Sequence, residues 1–384
     1  MIDTVTTPAS QPEGAFATLR AAYAARLDLA RAAQSNGEGV VGLVGNAIPM
    51  ELVLACGRQP VLVTADASRA TPHADLYMEQ VIPPELKALF ECAVAGELEF
   101  LDLLILSRPY AHLYYYLKEV HRLGRGPRFP ALHMCDLMQS QREAVRAYNW
   151  GRMQALVERL ERLADRTITD SELRQAIAVT NAVRGLQRDL LDLRWRSAIS
   201  GVDALTALGA GYFMAPEAYA TALQSYLSDL QPDPPLRKRP KVLVVTSEPL
   251  SHARLHAALE SAGALVVAED DWWGSRAPGA DVPLAGSARE AIFQKYWLDT
   301  ASPGVYPAAA REAWLRELGL RADLDGVVFY LPPSDHQLGW DYPRLNAWLS
   351  THGKRSLLLR VDATTQEGFD AVRLAAVRFV EERG

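Results

Sequence analysis

Ala264-Leu-Val-Val-Ala-Glu-Asp-Asp-Trp-Trp-Gly-Ser-Arg276 is the stretch on which the fold turns. An apolar run breaks abruptly into three acids, two adjacent tryptophans, a Gly-Ser pair and an arginine. A short Val-rich run bounded in this way predicts a buried parallel strand whose carboxyl end opens into a polar loop. In open α/β sheets ligands bind at that end. The two Trp side chains either grip something flat or apolar, or plug a neighbouring helix. The local residues leave both readings open.

The same pattern spreads outward from this run. Lys241-Val-Leu-Val-Val-Thr-Ser247 precedes it as a strand, with a helix through 255–262 between the two. Asp325–Leu331 and Ser356–Val361 follow as strands, separated by helical patterns near 287–297, 307–319, 342–352 and 366–381. The first part of the chain repeats this plan. A helix around 15–35 leads to the apolar run 39–45, a helix from about Pro49, and strands at Pro60–Thr64 and Leu101–Ser107. Strands alternating with helices imply parallel sheets. Between the two regions, Gln139–Ala164 has helical periodicity, and Thr169-Asp-Ser-Glu172 is a capping box that starts a helix reaching about Arg196.

The expected organisation is therefore α/β, with two doubly wound parallel-sheet domains of Rossmann or flavodoxin-like type and a helical segment between them. Residues 1–15 read as a disordered leader and 16–130 as an N-terminal α/β domain. A helical domain over 131–230 follows, then a proline-rich linker over 231–240 and a C-terminal α/β domain over 241–384.

Composition narrows the function classes. The chain has 384 residues, 49% of them hydrophobic and 22% charged, as in a soluble globular protein. No apolar run is long enough to span a membrane, and the N-terminus lacks the basic start and apolar core of a signal peptide. A net charge of -6 argues against a nucleic-acid surface. Cys56, Cys92 and Cys135 form no C-x-x-C pair and lie away from the strand-end loops, and Cys56 and Cys92 fall in apolar helical patterns where a free Cys packs as a small hydrophobe, so a cytoplasmic protein without a metal site is expected.

Four strand-end loops carry the candidate chemistry. The helix after Asn46 directs free N–H groups at an anion, and Arg108 and Arg276 suit phosphate or carboxylate. Arg276 can equally neutralise Asp270 or Asp271, and Arg108 can be an ordinary surface residue. Trp272, Trp273 and Ser275 complete the candidate binding set. Asp270, Asp335 and His336 are the acid/base candidates, although Ser334-Asp335-His336 are consecutive and a triad is assembled from separated segments. His252 and His256 have ligand spacing without an acidic partner motif. Neither a P-loop nor a Gly-x-Ser-x-Gly motif occurs.

In these loops the chain resembles the 2-hydroxyacyl-CoA dehydratase / benzoyl-CoA reductase family, in the subunits that carry the active-site cluster. The resemblance runs from about residue 35 to the C-terminus. It rests on Pro49-Met-Glu-Leu-Val-Leu-Ala-Cys-Gly-Arg-Gln-Pro-Val61, Thr167-Ile-Thr-Asp-Ser-Glu-Leu173, Ala268-Glu-Asp-Asp-Trp-Trp-Gly-Ser-Arg276, Asp325-Gly-Val-Val-Phe-Tyr330 and Asp341-Tyr-Pro-Arg-Leu345. It implies an acyl-CoA substrate, a [4Fe–4S] cluster held by cysteines in three loops, and an ATP-dependent activator that supplies a low-potential electron. At those three loops this chain has instead Pro109, Ser302 and Ser334. Serine and proline are poor replacements for thiolates. The expectation is then a cluster-free subunit that forms part of an acyl-CoA cleft and pairs as a heterodimer with a homologous cluster-bearing partner. Two alternatives stand beside it: a stand-alone paralogue with a repurposed cleft, for metal-free ligand binding or acid/base chemistry, and a non-catalytic interaction protein.

Overall fold

The computed structural model describes residues 13–124, 129–231, 233–247, 249–300, 305–333, 335 and 337–382. The chain opens with α1 (Glu13–Ala25) and α2 (Leu27–Ser35), followed by β1 (Val40–Val44), α3 (Met50–Ala55) and β2 (Gln59–Leu62). Next come α4 (Ala74–Tyr77), α5 (Pro84–Val94), β3 (Leu103–Ser107), a 3-10 turn at Arg108–Tyr110, α6 (Ala111–Arg122) and β4 (Ala131–Cys135). The four strands form one parallel sheet in the order β2-β1-β3-β4.

β4 is a strand where the sequence pattern reads helical. It is a short edge strand whose first residue is exposed, and a histidine interrupts its apolar run, so little but its pairing with β3 marks it. The single helix read over 15–35 is two helices, broken at Arg26, whose backbone takes a left-handed φ of 48°. Arg26 there donates to Thr64 Oγ1 at 2.9 Å and to the Ser251 carbonyl at 3.0 Å. Of the segment read as a leader, residues 1–12 lie outside the described residues, and Glu13–Ala15 belong to α1.

The middle of the chain holds α7 (Arg146–Ala164), α8 (Asp170–Trp195), α9 (Gly201–Ala210), α10 (Pro216–Asp229) and the short α11 (Pro234–Arg237). The capping box at the start of α8 forms as expected. Glu172 N–H donates to Thr169 Oγ1 at 3.3 Å, and Thr169 N–H donates to Glu172 at 2.8 Å. α1 packs with α9 and α10 in a core of its own built on Leu19, Leu208, Tyr219 and Tyr226.

The last third repeats the first with β5 (Lys241–Val245), α12 (Arg254–Ser261), β6 (Leu265–Asp270), α13 (Ala288–Leu298) and α14 (Ala308–Gly319). It ends with β7 (Gly326–Tyr330), α15 (Gln337–Thr351), β8 (Arg355–Leu359) and α16 (Gln366–Glu381). The sheet order β6-β5-β7-β8 matches that of the first sheet, and every pairing is parallel. Alternate residues explain the two-sided cover. Leu243, Val245 and Phe329 face α14 and α15, while Val242, Val244 and Val328 face α12 and α16. Both sheets reverse strand order at the strand that comes first in sequence, β1 and β5, which is the flavodoxin-like arrangement.

The chain after β6 does not stay with its own sheet. Trp273, Ile292, Phe293 and Trp297 belong to the core of the first sheet, where Phe293 lies between Trp150 (5.1 Å) and Trp297 (5.4 Å). The stretch from Trp272 through α13 therefore ties the two α/β regions together. No helix among the described residues is long and apolar enough to cross a membrane.

Candidate functional site

At the carboxyl end of β1 the chain turns sharply into α3. Gly45 has φ +83°, and a β-carbon there would lie 2.4 Å from Ser107 Oγ and from the Tyr110 ring, so only glycine fits. Ala47 follows with φ 62°. α3, the helix after Asn46, is only six residues long. What the turn does build is a cleft of about 150 Å³. It is walled by the 45–50 turn, by α8, by the turn between α9 and α10, by the 272–279 loop, and by the end of α13. Asn46, Trp272 and Arg276 of the expected binding set line it together.

Apart from Arg276, the charged side chains around the cleft were not read from the sequence. Glu51, fully buried in α3, accepts from Arg184 of α8, from Thr180 Oγ1 at 3.0 Å and from the Tyr296 hydroxyl at 2.8 Å. Burial works against the Glu51 carboxylate, but the adjacent guanidinium outweighs it and holds the acid below its ordinary range. Lys295 of α13 reaches the same cleft and pairs with Asp299 at 2.8 Å; burial lowers its pKa against the pull of that carboxylate. A sequence signal for Arg184 did exist. Thr180, Arg184, Gln187, Leu190 and Arg194 share the buried stripe of α8, and an arginine on such a stripe requires a partner.

The remaining expected residues separate. Trp273 is the core plug of the two Trp readings: it is 1% exposed and packs 4.6 Å from Tyr212 and 6.1 Å from Phe213. The Tyr212 hydroxyl donates to the carbonyls of Trp272 and Trp273, which fixes the loop and leaves Trp272 as the ring on the cleft wall. Ser275 turns inward and accepts from Glu269 N–H at 3.1 Å. Asp270 pairs with Arg276 at 2.8 Å, so Arg276 both lines the cleft and neutralises its neighbour. Arg108 pairs with Asp136 and is not among the residues lining the cleft. Pro109 sits in the 3-10 turn after β3. Asp335 accepts from Ser247 N–H at 3.3 Å and Leu338 N–H at 3.0 Å, which ties the entry of α15 to the end of β5. Ser302, Ser334 and His336 lie outside the described residues.

A second buried polar cluster stands at the end of β6. Arg194 of α8 makes two hydrogen bonds to Glu269, at 3.0 and 2.7 Å, and His256 lies 3.2 Å from the same carboxylate. Burial penalises this carboxylate, but Arg194 and His256 more than compensate and lower its pKa. His256 therefore has an acidic partner that the sequence did not reveal. Next to it, burial and then the Glu269 charge push Asp271 up to about 7, although Asp271 accepts from Leu250 N–H at 2.6 Å and Gly274 N–H at 2.7 Å.

The thiols do not fit a cubane held by this chain. Contrary to the sequence reading, Cys135 does end a strand, β4, beside Ser107; the reason is the unread strand itself. Its sulfur donates to the Ala47 carbonyl at 3.6 Å, and burial pushes the thiol up to about 12. Cys56 donates to the Leu160 carbonyl, and Cys92, in α5, is engaged by Arg69 at 2.7 Å. A cluster needs several thiolates facing one point, and these three engage three different elements. No three His, Cys, Asp or Glu side chains among the described residues are grouped to hold a metal ion.

Comparison with known proteins adds a family. A family model described as 2-hydroxyglutaryl-CoA dehydratase, D-component, matches residues 46–381. The chain is similar to the (R)-phenyllactyl-CoA dehydratase beta subunit of Clostridium sporogenes, with 20% identity over 355 residues covering 91% of this chain and 92% of that one. It is also similar to the lactoyl-CoA dehydratase subunit beta of Anaerotignum propionicum, with 22% identity over 354 residues covering 90% and 92%.

Proposed function

The chain belongs to the 2-hydroxyglutaryl-CoA dehydratase D-component family, and from that premise we propose that it is the cluster-free subunit of a 2-hydroxyacyl-CoA dehydratase-like or benzoyl-CoA reductase-like complex. In this reading its cleft forms part of the acyl-CoA site beside a homologous [4Fe–4S]-bearing partner, on which an ATP-dependent activator acts. Two relatives named as beta subunits of acyl-CoA dehydratases, aligned over nine-tenths of this chain, support the subunit role. The observation that carries the proposal is the cleft itself. It keeps Asn46, Trp272 and Arg276 at a strand end where ligands bind in such folds, while the three thiols are engaged by three different elements, which supports a cluster-free chain. Three buried cysteines without a disulfide suit a cytoplasmic complex.

Two measurements test this. Anaerobically purified chain should contain no stoichiometric iron and little activity alone; a full [4Fe–4S] complement in this chain would overturn the cluster-free assignment. Co-expression with its genomic neighbours should yield a heterodimer on size exclusion. A monomer that raises its Tm with no CoA thioester, with or without those neighbours, would sink the substrate-wall role.

A further inference from the structure

Arg184, Arg276 and Lys295 are the cations that line the cleft, and each already has a carboxylate partner. Arg184 binds buried Glu51, Arg276 binds Asp270 at 2.8 Å, and Lys295 binds Asp299 at 2.8 Å. Arg184 also donates to Asn181 Oδ1 at 2.8 Å and Thr180 Oγ1 at 3.1 Å, and the Arg276 guanidinium lies 5.5 Å from the centre of the Trp314 ring. The side chain of Lys295 is 8% exposed, whereas that of Asp299 is 48% exposed and also accepts from Ala280 N–H at 2.8 Å. Each positive charge in the wall is thus balanced before any ligand arrives. The rest of the wall is largely apolar, with Ile48, Leu62, Val183, Met214 and Trp272.

From this charge balance we infer that the cleft selects uncharged acyl groups of roughly the size of a benzene ring, and discriminates against acyl chains that end in a second carboxylate. The inference rests on reading the site as an acyl-CoA cleft. A cleft of about 150 Å³ whose cations are already paired and whose remaining wall is largely apolar has room for one benzene-sized group. A terminal carboxylate entering it would give up hydration, would have to compete with an existing partner for any cation, and would meet the Asp299 charge. A neutral aliphatic or aryl acyl group incurs none of these penalties and gains the Trp272 face.

The test is thermal-shift or calorimetric titration of the full chain, together with its partner subunit where the two co-purify. The probes are butyryl-CoA, phenylacetyl-CoA and glutaryl-CoA. The two neutral thioesters should bind with similar affinity and glutaryl-CoA about tenfold or more weakly. Asp299→Asn, which releases Lys295 from its partner, should narrow that gap, and Lys295→Met should widen it. Glutaryl-CoA binding as tightly as butyryl-CoA to the unaltered chain would overturn the selectivity while leaving the acyl-CoA reading intact. Binding by none of the three would overturn that reading and the inference with it. Because the selectivity is read on the unaltered chain, failure of either variant to fold leaves the decisive comparison in place.

Discussion

Asp271 owes its environment to the fold rather than to its neighbours in sequence. It sits in a run of three acids, and only the fold makes the three different. Glu269 is ionised by Arg194, Asp270 is neutralised by Arg276, and Asp271 is buried with a neighbouring negative charge and pushed up to about 7. An acid whose folded pKa is raised binds its proton more tightly in the native state. Its contribution to stability is present below the unfolded value of 3.8 and is lost as pH rises through about 7. Urea denaturation of the wild type and Asp271→Asn from pH 4 to 8 should therefore show the wild type losing ground to the variant as pH rises, by at most about 1.4 kcal/mol per pH unit. A constant difference across that window would contradict the assignment.

At the scale of the element, α8 is a strut between the two α/β regions. Arg184 on one turn holds Glu51 of α3, and Arg194, ten residues and about 15 Å further along, holds Glu269 of β6. Both pairs are buried, so removing one partner strands the other. Arg184→Met should cost about 3–5 kcal/mol in equilibrium unfolding. The double change Arg184→Met with Glu51→Leu should recover much of that loss, because no buried charge then remains unpaired. Equal losses in the single and double variants would show that the pair acts through packing instead. The start of the strut is a smaller effect: Thr169→Ala removes the capping box and should cost about 1 kcal/mol. That box was legible from Thr169 and Glu172 three residues apart. The arginine pairings were not, because their glutamates lie 133 and 75 residues away along the chain.

Over the whole molecule, the segment from Trp272 through α13 leaves the second sheet and seats Phe293 in the core of the first. Phe293→Ala should destabilise the protein by about 3–5 kcal/mol, and the loss should appear in the unfolding of both α/β regions, since the segment joins them. A transition confined to one region would show that the crossing segment is not a tie.

The sequence by itself determined the two parallel sheets, because Val-rich runs such as Lys241–Val245 and Leu265–Asp270, separated by helical periodicity, leave few other ways to bury both faces. It also put Asn46, Arg108, Trp272, Trp273, Ser275 and Arg276 just past strand ends, of which Asn46, Trp272 and Arg276 line the cleft. Only the tertiary structure decided that Trp273 is core and Trp272 is wall, that Cys135 ends a strand, and that each arginine or lysine of the cleft has its own carboxylate. The physical reason is range. Strand and helix formation is written in spacings of two to four residues, whereas burial, charge pairing and the width of a cleft depend on groups brought together from distant parts of the chain.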